Sequence, residues 1–266
     1  MQIRSDDIQL YYEATGSGFP IVLLHPFTVH HGFWADVSTR LANRYRLLTP
    51  DLRGHGRSEV GDGPATMAKH AADLLRLIEA EQIPKAVFVG VSIGGYILLE
   101  FWRRSRDRVT ALVLSNTKAE ADNDAARANR KKSIEQARTH GTGPFIEEQI
   151  PNYLGASTRR NRPDLVDKAR RMMQTITVEG LIAVQEGMIQ RPDSTSTLPT
   201  INARTLITTG EEDTLTPRSI AEFMLQRIPS ATMAITPNAG HYAALENAEE
   251  YARTLREFLD GLQLGA

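Results

Sequence analysis

The chain of 266 residues contains no cysteine. That absence removes disulfides, thiol nucleophiles and thiolate metal sites together. An excess of charge of one sign is missing too: 31 lysines and arginines face 32 aspartates and glutamates, a formal net charge of −1. Without a basic stripe to neutralise phosphates, nucleic acid is not an expected partner. No run is apolar enough to span a bilayer, so no membrane partner is expected. Residues 1–7 lack the basic start and apolar centre of a secretory signal. The expectation is a cytoplasmic protein, monomer or homodimer, with no internal repeat and no low-complexity tract. The length suffices for one large domain with an insertion and a substantial core.

What is present is concentrated in Val87-Phe88-Val89-Gly90-Val91-Ser92-Ile93-Gly94-Gly95. An apolar β-branched run stops at a serine bracketed by glycines, and a helical pattern over 96–103 follows at once. Gly-x-Ser-x-Gly in this strand–turn–helix context is a nucleophile elbow, where a sharp turn holds the serine in a strained conformation. Gly90 and Gly94 stand where a Cβ would collide with neighbouring backbone. The turn lifts the Ser92 hydroxyl clear of the sheet and aims the free N–H groups of a helix N-terminus above it.

A serine hydroxyl near neutral pH needs a base, and the base needs a group to orient it. Behind an elbow the expected chain order is serine, acid, histidine. Residues 203–210 read as a buried strand running into Glu211-Glu212-Asp213-Thr214-Leu215-Thr216-Pro217, where Thr216 and Pro217 look like the N-cap and first turn of a helix. Asp213 is the expected acid, and Glu211 and Glu212 read as a solvated pair. A short strand over 232–235 leads to Asn238-Ala239-Gly240-His241-Tyr242, which makes His241 the expected base. Both loops lie at carboxyl ends of strands, on the edge that carries Ser92 and where open α/β sheets place their sites. Asn116, at the end of the strand 109–115, cannot be the acid, because a neutral amide does not stabilise an imidazolium as a carboxylate does. His25 reads as a structural residue at a strand end; His30, His31, His55, His70 and His140 read as surface or structural.

Strands and helices alternate as a mostly parallel sheet requires. Strands are expected over 8–14 (antiparallel, at the edge), 21–24 and 46–49, and helices over 34–42 and 67–81, the latter with apolar Ala71, Leu74, Leu75 and Ile78 at helical spacing. From 118 to 199 the pattern is helical without strands, with segments at 125–139, 145–154, 165–175 and 178–190. The expected organisation is a core of residues 1–117 and 200–266 with a helical cap, 118–199, folded over the mouth of the site. Ile146, Ile150, Tyr153, Leu154, Met172, Met173, Ile176, Leu181, Val184 and Met188 supply its apolar surface, most of it for packing the cap helices on each other. Arg127, Arg130, Lys131 and Lys132 read as a solvated face.

The chain resembles the α/β-hydrolase superfamily over essentially its whole length. The marks are His25-Pro26-Phe27, Asp51-Leu52-Arg53-Gly54-His55-Gly56-Arg57-Ser58, the Ser92 elbow, Gly210-Glu211-Glu212-Asp213 and Gly240-His241. Within the superfamily it is similar to bacterial 3-oxoadipate enol-lactonases and the small esterases grouped with them; Arg191-Pro192-Asp193-Ser194-Thr195 before Leu198-Pro199-Thr200-Ile201 strengthens that comparison. The resemblance implies an eight-stranded, mostly parallel sheet flanked by helices. It also implies a Ser92–His241–Asp213 triad cleaving an ester or lactone through an acyl-enzyme, with no metal and no organic cofactor. The oxyanion hole would be the N–H groups of Ile93 and Phe27, since Pro26 has none; Phe27, Ile93 and Tyr242 would contact substrate. Where the family has His-Gly or His-Ala this chain has His25-Pro26, which stiffens that loop. The 51–58 segment is expected to be mainly a structural turn. The same scaffold also serves enol-lactonases proper, cofactor-free perhydrolases and slow-turnover ligand receptors.

Overall fold

The computed structural model describes residues 1–262 and 264. Eight strands form one sheet: β1 (Gln2–Ser5), β2 (Ile8–Thr15), β3 (Phe19–Leu24), β4 (Tyr45–Pro50), β5 (Ala86–Val91), β6 (Val109–Ser115), β7 (Arg204–Gly210) and β8 (Ala231–Thr236). Their spatial order is β1-β2-β4-β3-β5-β6-β7-β8. β1 and β2 pair antiparallel, as do β2 and β4, and every pairing from β4 to β8 is parallel. The edge strand is β1, so the 8–14 segment lies one place further in than its pattern suggested. Gln2 to Ser5 offers no long alternation to detect; what holds it is its register against β2, from Gln2 opposite Tyr11 to Ser5 opposite Ile8.

The central strands are buried on both faces, and their side chains divide between two cores by the period of two. Val22, Leu24, Phe88, Leu112 and Leu114 enter one core with helices α2 (Met67–Ala80) and α3 (Ile93–Ser105). Ile21, Leu23, Val87, Val89, Val91, Ala111 and Val113 enter the other, against α1 (Ala35–Leu41) and a late helix over Ala248–Asp260. Local chemistry sets the helix ends. The Thr66 hydroxyl accepts from Lys69 N–H at 3.3 Å to open α2, a side-chain N-cap. That late helix buries Tyr251, Ala252, Leu255 and Leu259 at near-regular helical spacing, and Asn247 caps it.

Between β6 and β7 the described chain is helical: α4 (Asp124–His140), α5 (Gly143–Tyr153), α6 (Ala156–Asn161), α7 (Pro163–Met173) and α8 (Val178–Ile189), then a 3₁₀ turn over Thr195–Thr200. The six residues of α6, Ala-Ser-Thr-Arg-Arg-Asn, carry no apolar period, which is why pattern alone leaves them unassigned. After β7 come α9 (Arg218–Leu225), α10 (Ala243–Glu246) and α11, the late helix. Helix α9 starts one residue later than its sequence suggests: Pro217 is the N-cap, and no side chain caps it. The Thr216 hydroxyl is committed elsewhere.

Because β3, β5, β6, β7 and β8 run parallel, the loops that follow them leave from one edge. Phe27, Ser92, Asn116, Asp213 and His241 are therefore brought together although 214 positions separate the first from the last.

Candidate active site

Ser92 sits between β5 and α3 at φ 56° and ψ −114°, in the sparsely populated region for a residue with a side chain. Such a conformation costs on the order of 1–3 kcal/mol and persists only where neighbours over-determine it. Here they do. Ser92 N–H donates to the Ser115 carbonyl at 2.9 Å, and its own carbonyl accepts from Gly95 N–H at 2.9 Å and the Thr117 hydroxyl at 2.8 Å. A Cβ at Gly90 would run into the Gly94 backbone, and one at Gly94 would meet the Leu24 carbonyl oxygen at 2.8 Å.

Asp213 is 5 % exposed and His241 3 %. His241 Nδ1 lies 2.9 Å from Asp213 Oδ2. An ionised carboxylate only accepts, so Nδ1 carries a proton, and in the neutral ring the lone pair is therefore on Nε2. Asp213 is ringed by donors: Leu215 and Thr216 N–H on Oδ1 at 2.9 and 3.0 Å, and the Thr216 hydroxyl and Asn116 Nδ2 on Oδ2 at 2.6 and 2.8 Å. Burial alone would raise its pKa; the adjoining imidazole and these hydrogen bonds outweigh burial and hold the carboxyl well below the usual range.

Ser92 and His241 line one cavity of about 390 Å³, with Phe27, Tyr96, Leu215 and Thr216 on the sheet side. No hydrogen bond joins Ser92 Oγ to the imidazole among the described residues; such contacts commonly tighten only when substrate is bound. The opposite wall comes from α4, α5 and α8, and most of its residues are polar. Of the ten apolar residues expected to pack these helices, with a few reaching the pocket, Tyr153 and Met188 line the cavity, and Ile146, Ile150, Leu154, Met172, Met173, Ile176, Leu181 and Val184 are packed into the cores. The basic cluster is not wholly a solvated face either. Arg130 and Lys132 line the cavity beside Lys118. Arg130 reaches the buried Asp122 at 2.5 Å and Gln185 at 2.8 Å, and Asp122 also draws Arg191 to 3.2 Å and Lys118 to 3.5 Å.

Phe27 forms part of the wall, and its N–H donates to nothing among the described residues. Ile93 is the first residue of α3, so its N–H has no intrahelical acceptor. The Ile93 side chain, however, is in the core and does not reach the cavity. Tyr242, expected against substrate, is fully buried behind the wall. Its hydroxyl donates to the Phe27 carbonyl at 2.6 Å, and its N–H to the Tyr153 carbonyl at 2.9 Å. It braces the Phe27 loop rather than touching the cavity. Tyr153 stacks on both Tyr242 and His241, at ring separations of 4.9 and 5.9 Å.

The rejected candidates have other work. His25 uses both nitrogens: Nδ1 lies 2.8 Å from the Pro26 carbonyl and Nε2 accepts from Leu52 N–H at 2.9 Å. Burial first, then the neighbouring His55, pushes its pKa down to about 3, so it stays neutral. Asp51 binds His31 and Arg57 backbone N–H at 2.7 and 2.8 Å, and the 51–58 turn stays off the cavity wall. His30, His31 and Asp51 place potential ligand atoms within 4.8 Å of one another. There His31 Nδ1 is bonded to Asp51 at 2.7 Å and Nε2 lies 3.2 Å from Glu13, so both nitrogens are engaged. Glu211 and Glu212 do not touch His241; they hold Asn238 N–H and Ser157 N–H at 2.9 and 2.8 Å. Glu246, which sequence reading passed over, is buried and bridges Gly240 N–H at 2.9 Å to Gly155 N–H at 2.7 Å. Burial raises its pKa above the ordinary carboxylate value. No helix among the described residues is long and apolar enough to cross a membrane.

The sheet order and the serine turn define an α/β-hydrolase architecture, and comparison agrees. The family model for the alpha/beta hydrolase fold matches residues 20–248, and the chain belongs to that family. It is similar to the pimeloyl-[acyl-carrier protein] methyl ester esterase of Chromobacterium violaceum, at 28 % identity over 95 % of this chain and 99 % of that protein. It is also similar to 3-oxoadipate enol-lactonase 1 of Acinetobacter baylyi, at 24 % identity over 91 % of this chain and 89 % of that one. Among solved structures, a thermophilic esterase from Thermogutta terrifontis, crystallised with malate, superposes with a TM-score of 0.95 at 36 % identity, covering 98 % of both chains.

Proposed function

We propose that the protein hydrolyses carboxylic esters or lactones, with Ser92 as nucleophile, His241 as base and Asp213 as the orienting acid. The observation that carries this reading is the buried 2.9 Å Asp213–His241 bond beside a strained serine, with imidazole and hydroxyl on one cavity. As Ser92 Oγ attacks the carbonyl carbon, Nε2 takes its proton. Asp213 fixes the Nδ1–H tautomer and stabilises the imidazolium. The N–H groups of Phe27 and Ile93 hold the tetrahedral oxyanion, a contribution worth about 10²–10³ in turnover per donor. His241 then protonates the leaving alkoxide, and the acyl group stays on Ser92. Water, deprotonated by His241, releases the acid and restores the serine. In this scheme residues 118–199 act as a cap that closes the cavity over a core of 1–117 and 200–266. No metal or organic cofactor enters the scheme.

A second, narrower reading is an enol-lactonase taking an anionic lactone. Lys118, Arg130 and Lys132 against Asp122 and Glu148 leave the cavity wall with an excess of cationic groups, and the enol-lactonase relative supports it. The test is a p-nitrophenyl ester series beside 3-oxoadipate enol-lactone, with Ser92→Ala as the blank. Loss of about 10³–10⁶ in turnover in a folded variant supports the assignment; wild-type hydrolysis by Ser92→Ala rejects it. A preference for anionic substrates that fades with salt separates the narrower reading.

A further inference from the structure

We propose that Asn116 is a positioning residue, a single amide that ties the acid and the base of the site to the end of β6 and orients Asp213 toward His241. The inference rests on the functional reading above. Asn116 is 1 % exposed. Its Nδ2 donates to Asp213 Oδ2 at 2.8 Å and to the carbonyl of Gly240 at 3.2 Å. Gly240 immediately precedes His241, so the two hydrogens of one amide reach the loops after β7 and β8.

The direction of that amide is fixed from behind. Ser115 Oγ donates to Asn116 Oδ1 at 3.0 Å, and Thr208 Oγ1 donates to Ser115 Oγ at 2.7 Å. A flipped amide would point its oxygen at a carboxylate and a carbonyl, both acceptors, and turn its two donors away from them. The backbone is held as firmly: Asn116 N–H donates to the Thr208 carbonyl at 2.8 Å, and φ is 45°. Asparagine tolerates this left-handed conformation better than most side chains. A buried asparagine that only filled space would have no reason to direct both donors at the acid and at the residue beside the base.

The chemistry requires an amide at this position. Asp213 Oδ2 receives the His241 proton donor, the Thr216 hydroxyl and Asn116 together. Asn116 neutralises part of the carboxylate's charge without adding any, and prevents it from rotating away from the imidazole. A second carboxylate at 116 would face the first across hydrogen-bond distance.

Asn116→Gly deletes the amide while allowing the positive φ, and Asn116→Asp keeps the shape while replacing the donors. Both are assayed with a neutral p-nitrophenyl ester, reading kcat and KM separately and the acidic limb of the kcat/KM profile, with Asp213→Asn in parallel. Other titratable groups packed on His241 are Tyr153 and Tyr242, whose phenols burial holds above their ordinary range; Lys118, Asp122, Arg130, Lys132 and Glu148 share its cavity and are left unchanged in every variant, and Glu246 is engaged by the Gly240 and Gly155 N–H groups. The limb therefore reports the imidazole as Asp213 sees it. For Asn116→Gly the expected result is a kcat lower by tenfold or more, on the order expected for a lost hydrogen bond to a charged group, with KM little changed. The limb moves to higher pH, because a carboxylate with one donor fewer holds the imidazolium more tightly. Asn116→Asp moves it further the same way and does not restore kcat.

Wild-type kcat and an unmoved limb in folded Asn116→Gly overturn the proposal, as does restoration by Asn116→Asp. If Asp213→Asn is itself as active as wild type, the functional reading fails; if Asp213→Asn collapses while Asn116→Gly does not, only this inference fails. Should Asn116→Gly not fold, Ser115→Ala serves: it leaves Asn116 in place and frees its amide, so a smaller displacement of the limb in the same direction supports the proposal and none refutes it.

Discussion

Asp213→Asn removes one charge and changes almost no volume, and the structure dictates how the new amide must lie. Backbone N–H groups of Leu215 and Thr216 point at Oδ1 and cannot turn away. They demand an oxygen there, so the introduced NH₂ takes the place of Oδ2. That position faces His241 Nδ1, Asn116 Nδ2 and the Thr216 hydroxyl. The hydroxyl can reverse and accept. Asn116 cannot, and the imidazole can accept only by moving its proton to Nε2, the nitrogen that must receive the Ser92 proton. The wrong tautomer and the lost countercharge together amount to a fall of about 10⁴ in kcat, or about 5.5 kcal/mol of transition-state stabilisation. KM changes little, because Asp213 is not on the cavity wall. Steady-state hydrolysis of p-nitrophenyl acetate measures the fall, and ¹⁵N chemical shifts of His241 report the tautomer directly. An Asp213→Asn enzyme within tenfold of wild-type kcat, or one keeping the Nδ1–H tautomer, refutes the reasoning.

Acid stability is the next consequence. His25 and His55 are buried with pKa values pushed down to about 3 and about 4, and His70 is lowered in the same direction, burial being the first cause for each. A histidine whose folded pKa lies below its unfolded value of about 6.5 contributes stability that is full above that pH and is lost as the pH falls toward the folded value. Between pH 6.5 and 4.5 each of His25 and His55 removes about 2–3 kcal/mol, so urea midpoints fall steeply across that interval; a flat profile contradicts the assignment. Tyr242→Phe strips the partner from the buried Phe27 carbonyl and lowers kcat by up to about tenfold with KM nearly constant, as the same ester assay reads. Phe88→Ala, at the centre of the sheet with its ring 5.0 Å from that of Phe101, costs about 3–5 kcal/mol in urea unfolding without altering KM.

The strands were legible because each central one is a continuous apolar run. The run at 109–115 and the one ending at Gly210 coincide with β6 and β7. The places of Ser92, Asp213 and His241 in the fold were legible because each lies in a loop directly after a parallel strand, where topology limits the choices. Less visible were residues whose work is decided by a partner far along the chain. Thr216 reads as a helix cap, yet a buried carboxylate three residues away outcompetes the backbone for its hydroxyl. Asn116 was read only for what an amide cannot do. Its donors become visible once β6, β7 and β8 lie side by side. Tyr242 follows His241 in sequence, but its hydroxyl turns back to Phe27, 215 positions away. Arg130 and Lys132 carry no local sign that they face inward; a buried Asp122, eight residues before Arg130, draws that arginine in.

The central claim is that one hydroxyl, activated by one imidazole, forms a covalent bond to the acyl group. Mass spectrometry of the protein after exposure to a fluorophosphonate tests it most directly. The account predicts one adduct per chain, on the peptide containing Ser92, formed rapidly by wild type, at least a hundredfold more slowly by His241→Ala on the order set by base removal, and not at all by Ser92→Ala. An adduct on another residue, or undiminished labelling and ester hydrolysis in Ser92→Ala, contradicts it.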